Sequence, residues 1–232
     1  YQPVLEMKTG RLHCCEATLF WGNEDMTVPR SRFLPIIDQL GYSRQLYRFA
    51  CDKICSFCAS VREQGYPEFR VSFKMPENIL NNEISVDVLQ STLLEYSLPP
   101  SAISISVTEA EGTLTSGGIY LQALSRIGMN IIADDTGEGY FTDAPLSNAS
   151  VKTIKIRADR FSGDSVSSGF VRSLIKKAHS KGIAVCAKDV DSPSDLTAIG
   201  GSEIDLIEGI FNGRPLRDNE FIERMSEGLG AG

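Results

Sequence analysis

Short apolar runs alternate with amphipathic stretches almost from one end of this chain to the other, and that rhythm limits the fold more than any other feature. Candidate strands are Tyr1–Leu5, Leu12–Phe20, Phe69–Met75, Ala102–Thr108, Asn130–Ala133, Thr153–Ile156, Ile183–Ala187 and Leu206–Ile207. Between most of them apolar residues return at helical spacing, in Arg30–Leu40, Ser43–Gln64, Val86–Tyr96, Gly117–Ile127, Ser168–Ser180 and Ser194–Ile199. Only Lys8-Thr9-Gly10 separates the first two strands, too little for a helix, so these two pair as an antiparallel hairpin. After that the strand–helix–strand order calls for a parallel sheet, because parallel neighbours need a crossover. Unbroken alternation of this length predicts a closed α/β barrel rather than an open sheet. No proline- or serine-rich linker divides the chain, so residues 1–232 are read as a single domain, cut from a longer protein.

Composition sets the outer limits. Of 232 residues, 42% are hydrophobic, enough for a full core. The net charge of −7 argues against a partner that is a nucleic-acid polymer, which would select a basic surface. No apolar run approaches the roughly 20 residues of a membrane span, so no membrane segment and no signal peptide are expected. The expected location is cytoplasmic, as a free protein or as the cytoplasmic part of a longer membrane or sensor protein. Cys51, Cys55 and Cys58 sit at i, i+4 and i+7 among Leu46, Ile54 and Val61. A zinc or redox pair is one reading of Cys55-Ser-Phe-Cys58. The helical spacing favours a buried stripe, with cysteine acting as a small hydrophobe.

In a barrel of this kind the chemistry gathers where strands end. Those ends carry Glu16, Lys74, Ser106 with Glu109, Asp134 with Asp135, Lys155 with Arg157, Lys188, and Glu208. Strand residues two apart share a face, so Ser72 and Lys74, Lys155 and Arg157, and Cys186 and Lys188 point together. Charges from so many strands predict one polar mouth. Asp134-Asp135, followed by Gly137 and Gly139, is its sharpest element, since converging carboxylates suit Mg²⁺ or Mn²⁺. Taken alone, two aspartates before a glycine-rich loop are also ordinary turn chemistry.

Together these segments resemble the EAL domain, a bacterial cyclic di-GMP phosphodiesterase family, along nearly the whole chain. Glu16-Ala17-Thr18 is similar to the signature tripeptide, with Thr for Leu, and Tyr1-Gln2-Pro3-Val4 to the opening strand. Pro29-Arg30-Ser31-Arg32-Phe33-Leu34-Pro35 matches the following helix start, and Thr108-Glu109 the end of E-x-T-E. Asp134-Asp135-Thr136-Gly137-Glu138-Gly139-Tyr140 resembles D-D-F-G-T-G-Y, and Lys155-Ile156-Arg157 resembles K-I-D. Ala187-Lys188-Asp189-Val190-Asp191 corresponds to A-E-G-V-E, and Glu208-Gly209 through Pro215 to the closing Q-G segment. The resemblance implies a TIM-like (β/α)₈ barrel with one antiparallel strand, and two divalent cations that serve hydrolysis of cyclic di-GMP.

The departures lead to an expectation of a degenerate member. Glu16, Glu109, Asp134, Asp135 and Lys155 are expected to survive as a vestigial site. Lys74 stands at a metal-binding Asn position, Ser106 and Lys188 at Glu positions, Arg157 at an Asp position, Glu208 at the closing Gln, and Phe20 at a phosphate-binding Arg position. Lysine has donors only and cannot ligate a metal when protonated. The expectation is therefore no enzyme, no functional catalytic residue, no metal and no cofactor, with Mg²⁺ or Mn²⁺ only if residual phosphodiesterase activity persists. Lys74, Lys188 and Arg157 are expected to neutralise Glu16, Asp134 and Asp135 as ion pairs. The leading functional expectation is a regulatory domain that acts through a protein partner in cyclic di-GMP signalling. The alternative is a metal-independent cyclic di-GMP receptor.

Overall fold

The computed structural model describes residues 1–22, 26–74, 83–108, 119–136, 146, 151–162 and 165–229. Eight strands close into a barrel in the order β1-β10-β9-β8-β7-β6-β5-β2. They are β1 (Gln2–Glu6), β2 (Leu12–Ala17), β5 (Val71–Lys74), β6 (Ile103–Thr108), β7 (Asn130–Asp134), β8 (Val151–Arg157), β9 (Ala184–Lys188) and β10 (Leu206–Glu208). β1 runs antiparallel to both of its neighbours, β2 and β10, and the other neighbouring strands are parallel. The expected barrel with one antiparallel strand is thus the observed one. A further two-stranded ribbon, β3 (Trp21–Gly22) with β4 (Thr27–Val28), leaves the top of β2 and was not foreseen.

Helices follow the strands as the alternation requires: α1 (Arg30–Gln39), α2 (Ser43–Glu63), α3 (Glu83–Glu95), α4 (Ile119–Arg126), α5 (Ser165–Ser180), α6 (Pro193–Ile199) and α7 (Asp218–Ser226). α7 was missed in the sequence. It opens with the Glu220 carboxylate accepting from the Arg217 backbone N–H and buries Phe221 and Met225, one turn apart. Phe221 meets the rings of Phe57 and Phe69 edge-on or tilted at 5.8 and 6.1 Å. None of the helices among the described residues is long and apolar enough to cross a membrane.

Strand alternation sorts the side chains into two compartments. Ile103, Ile105 and Val107 of β6 join Ile131, Ile154, Ile156, Leu89 and Leu174 in the apolar shell between barrel and helices. The alternate residues face the barrel axis, where Val4, Cys14, Cys186 and Leu206 form a small apolar plug. Above that plug the inward positions turn polar: Glu16, Ser72, Lys74, Ser106, Asp134, Lys155, Lys188 and Glu208.

The cysteine stripe of α2 belongs to the outer shell. Cys51, Cys55 and Cys58 are fully buried beside Ile54, Phe57 and Val61, and all six cysteines are free thiols. Burial pushes the Cys51 and Cys55 thiols up to about 12 and Cys58 to about 11, so they stay protonated. His13 and His179 line a depression with Ala184 and Leu206, at the strand starts on the other side of the barrel from the mouth. The stripe is packing.

Candidate functional site

Strand register brings the mouth together. Glu16 lies level with Ser72, Lys74 with Ser106, Thr108 with Asp134, and Arg157 with Lys188. Two ion-pair groups result, one deep and one shallow.

The deep group centres on Lys155, whose side chain is only 3% exposed. Its ammonium donates to Glu16 and, at 2.5 Å, to Glu208. Burial by itself would lower the lysine pKa; Glu16 and Glu208 outweigh it and hold the ammonium well above the ordinary value. One cation between two carboxylates leaves an excess of negative charge. Burial, reinforced by Glu16 and only partly opposed by Lys155, pushes the Glu208 carboxyl up to about 7.

The shallow group is a clamp around the adjacent aspartates. Lys188 Nζ donates to Asp134 Oδ1 at 2.8 Å and also pairs with Asp135. Lys74 Nζ lies 3.4 Å from Asp134 Oδ2 and 3.7 Å from Asp135 Oδ2. The chain can present both carboxylates because Asp135 adopts φ 53°, a left-handed turn that aspartate tolerates better than most residues. That turn is pinned by the Asp135 N–H donating to Asp134 Oδ1 at 2.9 Å and by Thr136, whose N–H reaches Lys155 O and whose hydroxyl reaches Ala133 O. Burial would raise the Asp134 pKa, but Lys188, Lys155 and Lys74 together hold it below its ordinary value.

The expected neutralising contacts are thus distributed differently from the sequence reading. Lys74 and Lys188 serve Asp134 and Asp135, while Glu16 is met by Lys155. Arg157 does not join the mouth. Its side chain is 41% exposed, pairs with Asp159 at 3.0 Å and approaches Asp189 at 4.0 Å. The physical reason is the 3₁₀ turn Ala158–Phe161, which sets Asp159 two residues beyond the strand end, within easy reach of a long side chain. Glu109 and residues 137–145 lie outside the described residues. Ser106 is fully buried on β6, level with Lys74.

The donor set was tested against the divalent cations that the resemblance implies. Mg²⁺ takes oxygen ligands in near-ideal octahedral geometry. Here both oxygens of Asp134 face ammonium groups, and both oxygens of Asp135 do as well. Lysine supplies no lone pair while protonated. Among the described residues, the donors as arranged do not fit a divalent cation.

Beside the mouth opens a cavity of about 750 Å³, which contains a second set of residues that the sequence did not reveal. Tyr1, Phe20, Leu34, Ile54 and Phe73 give it apolar walls. Arg30, Lys53, Lys74, Arg214 and Arg217 place five cations there against the acids Asp218 and Glu220. Phe20, 62% exposed, brings no charge of its own, yet the cavity it lines is basic within a chain of net charge −7. These cations come from the start of α1, the middle of α2, the end of β5 and the segment before α7, so no local motif marks them.

Comparison with known proteins places this architecture. The chain is 25% identical over 93% of its length to the cyclic di-GMP phosphodiesterase NbdA of Pseudomonas aeruginosa, and 26% identical over 92% to the cyclic di-GMP phosphodiesterase PdeF of Escherichia coli. It spans only 28% and 29% of the length of those two relatives. The solved phosphodiesterase domain of P. aeruginosa MucR, in complex with cyclic di-GMP, superposes with a TM-score of 0.82 at 22% identity, covering 95% of this chain and 92% of that one. The expectation that the chain is not an enzyme is corrected by these relatives, which are named as cyclic di-GMP phosphodiesterases. It rested on the substituted metal-site positions Lys74, Ser106, Arg157 and Lys188, whereas Glu16, Asp134, Asp135 and Lys155 still converge on one mouth. The family model of the EAL domain matches residues 1–215, from β1 through the basic segment before α7, and the chain belongs to that family.

Proposed function

We propose that this domain binds cyclic di-GMP across the barrel mouth and the adjoining cavity, and that it holds the phosphodiester on ammonium groups without needing a divalent cation. The observation that carries this reading is the pair Lys74 and Lys188. Each ammonium has three donors and, among the described residues, engages two carboxylates, which leaves one for an incoming phosphate oxygen. Lys74 also lines the basic cavity, so one side chain joins the clamp to a space with aromatic walls and cationic neighbours. A nucleotide with a planar base and an anionic linkage matches that combination. As an EAL domain in cyclic di-GMP signalling, the occupied barrel would pass its state to a regulatory protein partner.

Hydrolysis is a second reading, favoured by the relatives named as phosphodiesterases and by the convergence of Glu16, Asp134 and Asp135. One experiment addresses both. Isothermal calorimetry with cyclic di-GMP is run in EDTA and again with Mg²⁺ or Mn²⁺, and each sample is then chromatographed for the linear dinucleotide. Micromolar binding in EDTA is the expected result. Binding only in the presence of a divalent cation, or no binding in either buffer, would overturn the metal-independent reading. Linear product in either buffer would establish turnover.

A further inference from the structure

Among the described residues, Ser106 Oγ and Thr108 Oγ1 are buried side-chain oxygens with no hydrogen-bond partner, in residues 0% and 7% exposed. A buried hydroxyl left unsatisfied is costly, and native structures keep few of them. The interior does not starve hydroxyls in general. Ser72, next to them on β5, donates to Cys15 O at 3.3 Å, and Thr136 donates to Ala133 O at 2.9 Å. The orphaned pair is confined to β6.

Its position is specific. Ile103, Ile105 and Val107 of β6 pack outward, so Ser106 and Thr108 face the barrel axis two residues apart. Ser106 is level with Lys74 on one side, and Thr108 is level with Asp134 on the other. The two hydroxyls therefore sit on the strand between Lys74 and Asp134, at the level of the shallow clamp. A hydroxyl can donate or accept, and the neighbouring charges decide which is used. The two ammonium groups of the clamp already balance its two carboxylates, and an anion with several oxygens can accept from ammonium and hydroxyl donors together. Lys74 is free to follow such a group, because its present contacts are long, at 3.4 and 3.7 Å.

We infer that Ser106 and Thr108 are the floor of an anion cradle, donating their hydroxyl hydrogens to the phosphodiester that Lys74 and Lys188 hold from above. The assignment rests on the cyclic dinucleotide reading of the mouth and deepens it by naming donors of a metal-free phosphate site.

The test uses the full chain as wild type, Ser106→Ala, Thr108→Val and Thr108→Ser, each titrated with cyclic di-GMP in EDTA and melted without ligand. Ser106→Ala and Thr108→Val should each weaken binding about tenfold, the scale of one hydrogen bond to a charged group. Their melting temperatures should equal or exceed wild type, since each removes an unsatisfied buried hydroxyl. Thr108→Ser keeps the hydroxyl and should bind like wild type. Affinities of both truncating variants within twofold of wild type would overturn the assignment and leave the mouth reading standing, with buried water as the hydroxyls' partner. A lowered melting temperature with unaltered affinity would overturn it too, because the hydroxyls would then serve the fold. A wild type that binds no cyclic di-GMP in EDTA would overturn the mouth reading and the cradle with it.

Discussion

Replacing Glu208 by Gln probes the deep ion-pair group directly. In the folded chain burial raises the Glu208 carboxyl from its ordinary 4.5 to about 7, with Glu16 adding to the rise and Lys155 opposing it. An acid whose pKa is raised on folding binds more protons in the native state than in the unfolded one across that interval. Stability therefore falls as pH climbs from about 4.5 to about 7, and the full penalty is present above it. At about 1.4 kcal/mol per tenfold in proton affinity, the rise corresponds to about 3 kcal/mol. Glutamine copies the shape of the neutral acid and never ionises, so Glu208→Gln escapes that penalty. Urea unfolding of both proteins, followed by circular dichroism because Trp21 is half-exposed and a poor reporter, gives the stability difference at each pH. The variant should gain about 3 kcal/mol relative to wild type between pH 5 and pH 8. A difference that stays flat over that range, or that moves against the variant, would show that Lys155 overcomes burial and that the deep group carries no proton near neutrality.

Two further substitutions test other parts of the frame. Lys155→Met strands Glu16 and Glu208 in the barrel with no partner in their pair, so it should cost about 3–5 kcal/mol by urea unfolding; a loss below about 1 kcal/mol would mean that the ammonium is dispensable. Gly209→Ala would set a Cβ 2.1 Å from Val190 O and 2.4 Å from Val190 C and N, all backbone atoms. That overlap should cost about 3 kcal/mol through overpacking, and an unchanged melting curve would show that Gly209 does not approach the Val190 backbone this closely.

Legibility in the sequence followed the range of the physics. The strands of the barrel could be read because each shows its outward residues as an apolar run, as Ile103, Ile105 and Val107 do, and because a helix of matching period follows. α7 escaped because its nine residues bury only Phe221 and Met225, too few for a periodic pattern. The β3–β4 ribbon escaped because two-residue strands have no period at all. Arg157 shows the limit of alternation itself. The rule that places it with Lys155 holds inside a strand, but at the last residue of β8 a nearby carboxylate, Asp159, determines where a flexible side chain goes. The basic cavity could not be read from local sequence, since Arg30, Lys53, Lys74 and Arg214 converge only once the barrel has closed.

The same distinction explains the correction about enzyme character. Along the sequence, Lys74 and Lys188 read as lost metal ligands and as cations for Glu16, Asp134 and Asp135, with no way to say which meets which. In three dimensions they are one feature, because two cations from strands β5 and β9 close on a single pair of aspartates carried by β7 and its turn. Charge reversal at isolated positions would leave unpaired lysines under a mouth of repelling carboxylates. What is observed among the described residues is a matched clamp of two lysines and two aspartates, beside a lysine that two further acids share. A clamp of this kind is organised before any ligand arrives, which is the arrangement that favours anion binding at low reorganisation cost. The substitutions are best understood as a set, and the proposed use of their chemistry is to hold a phosphodiester.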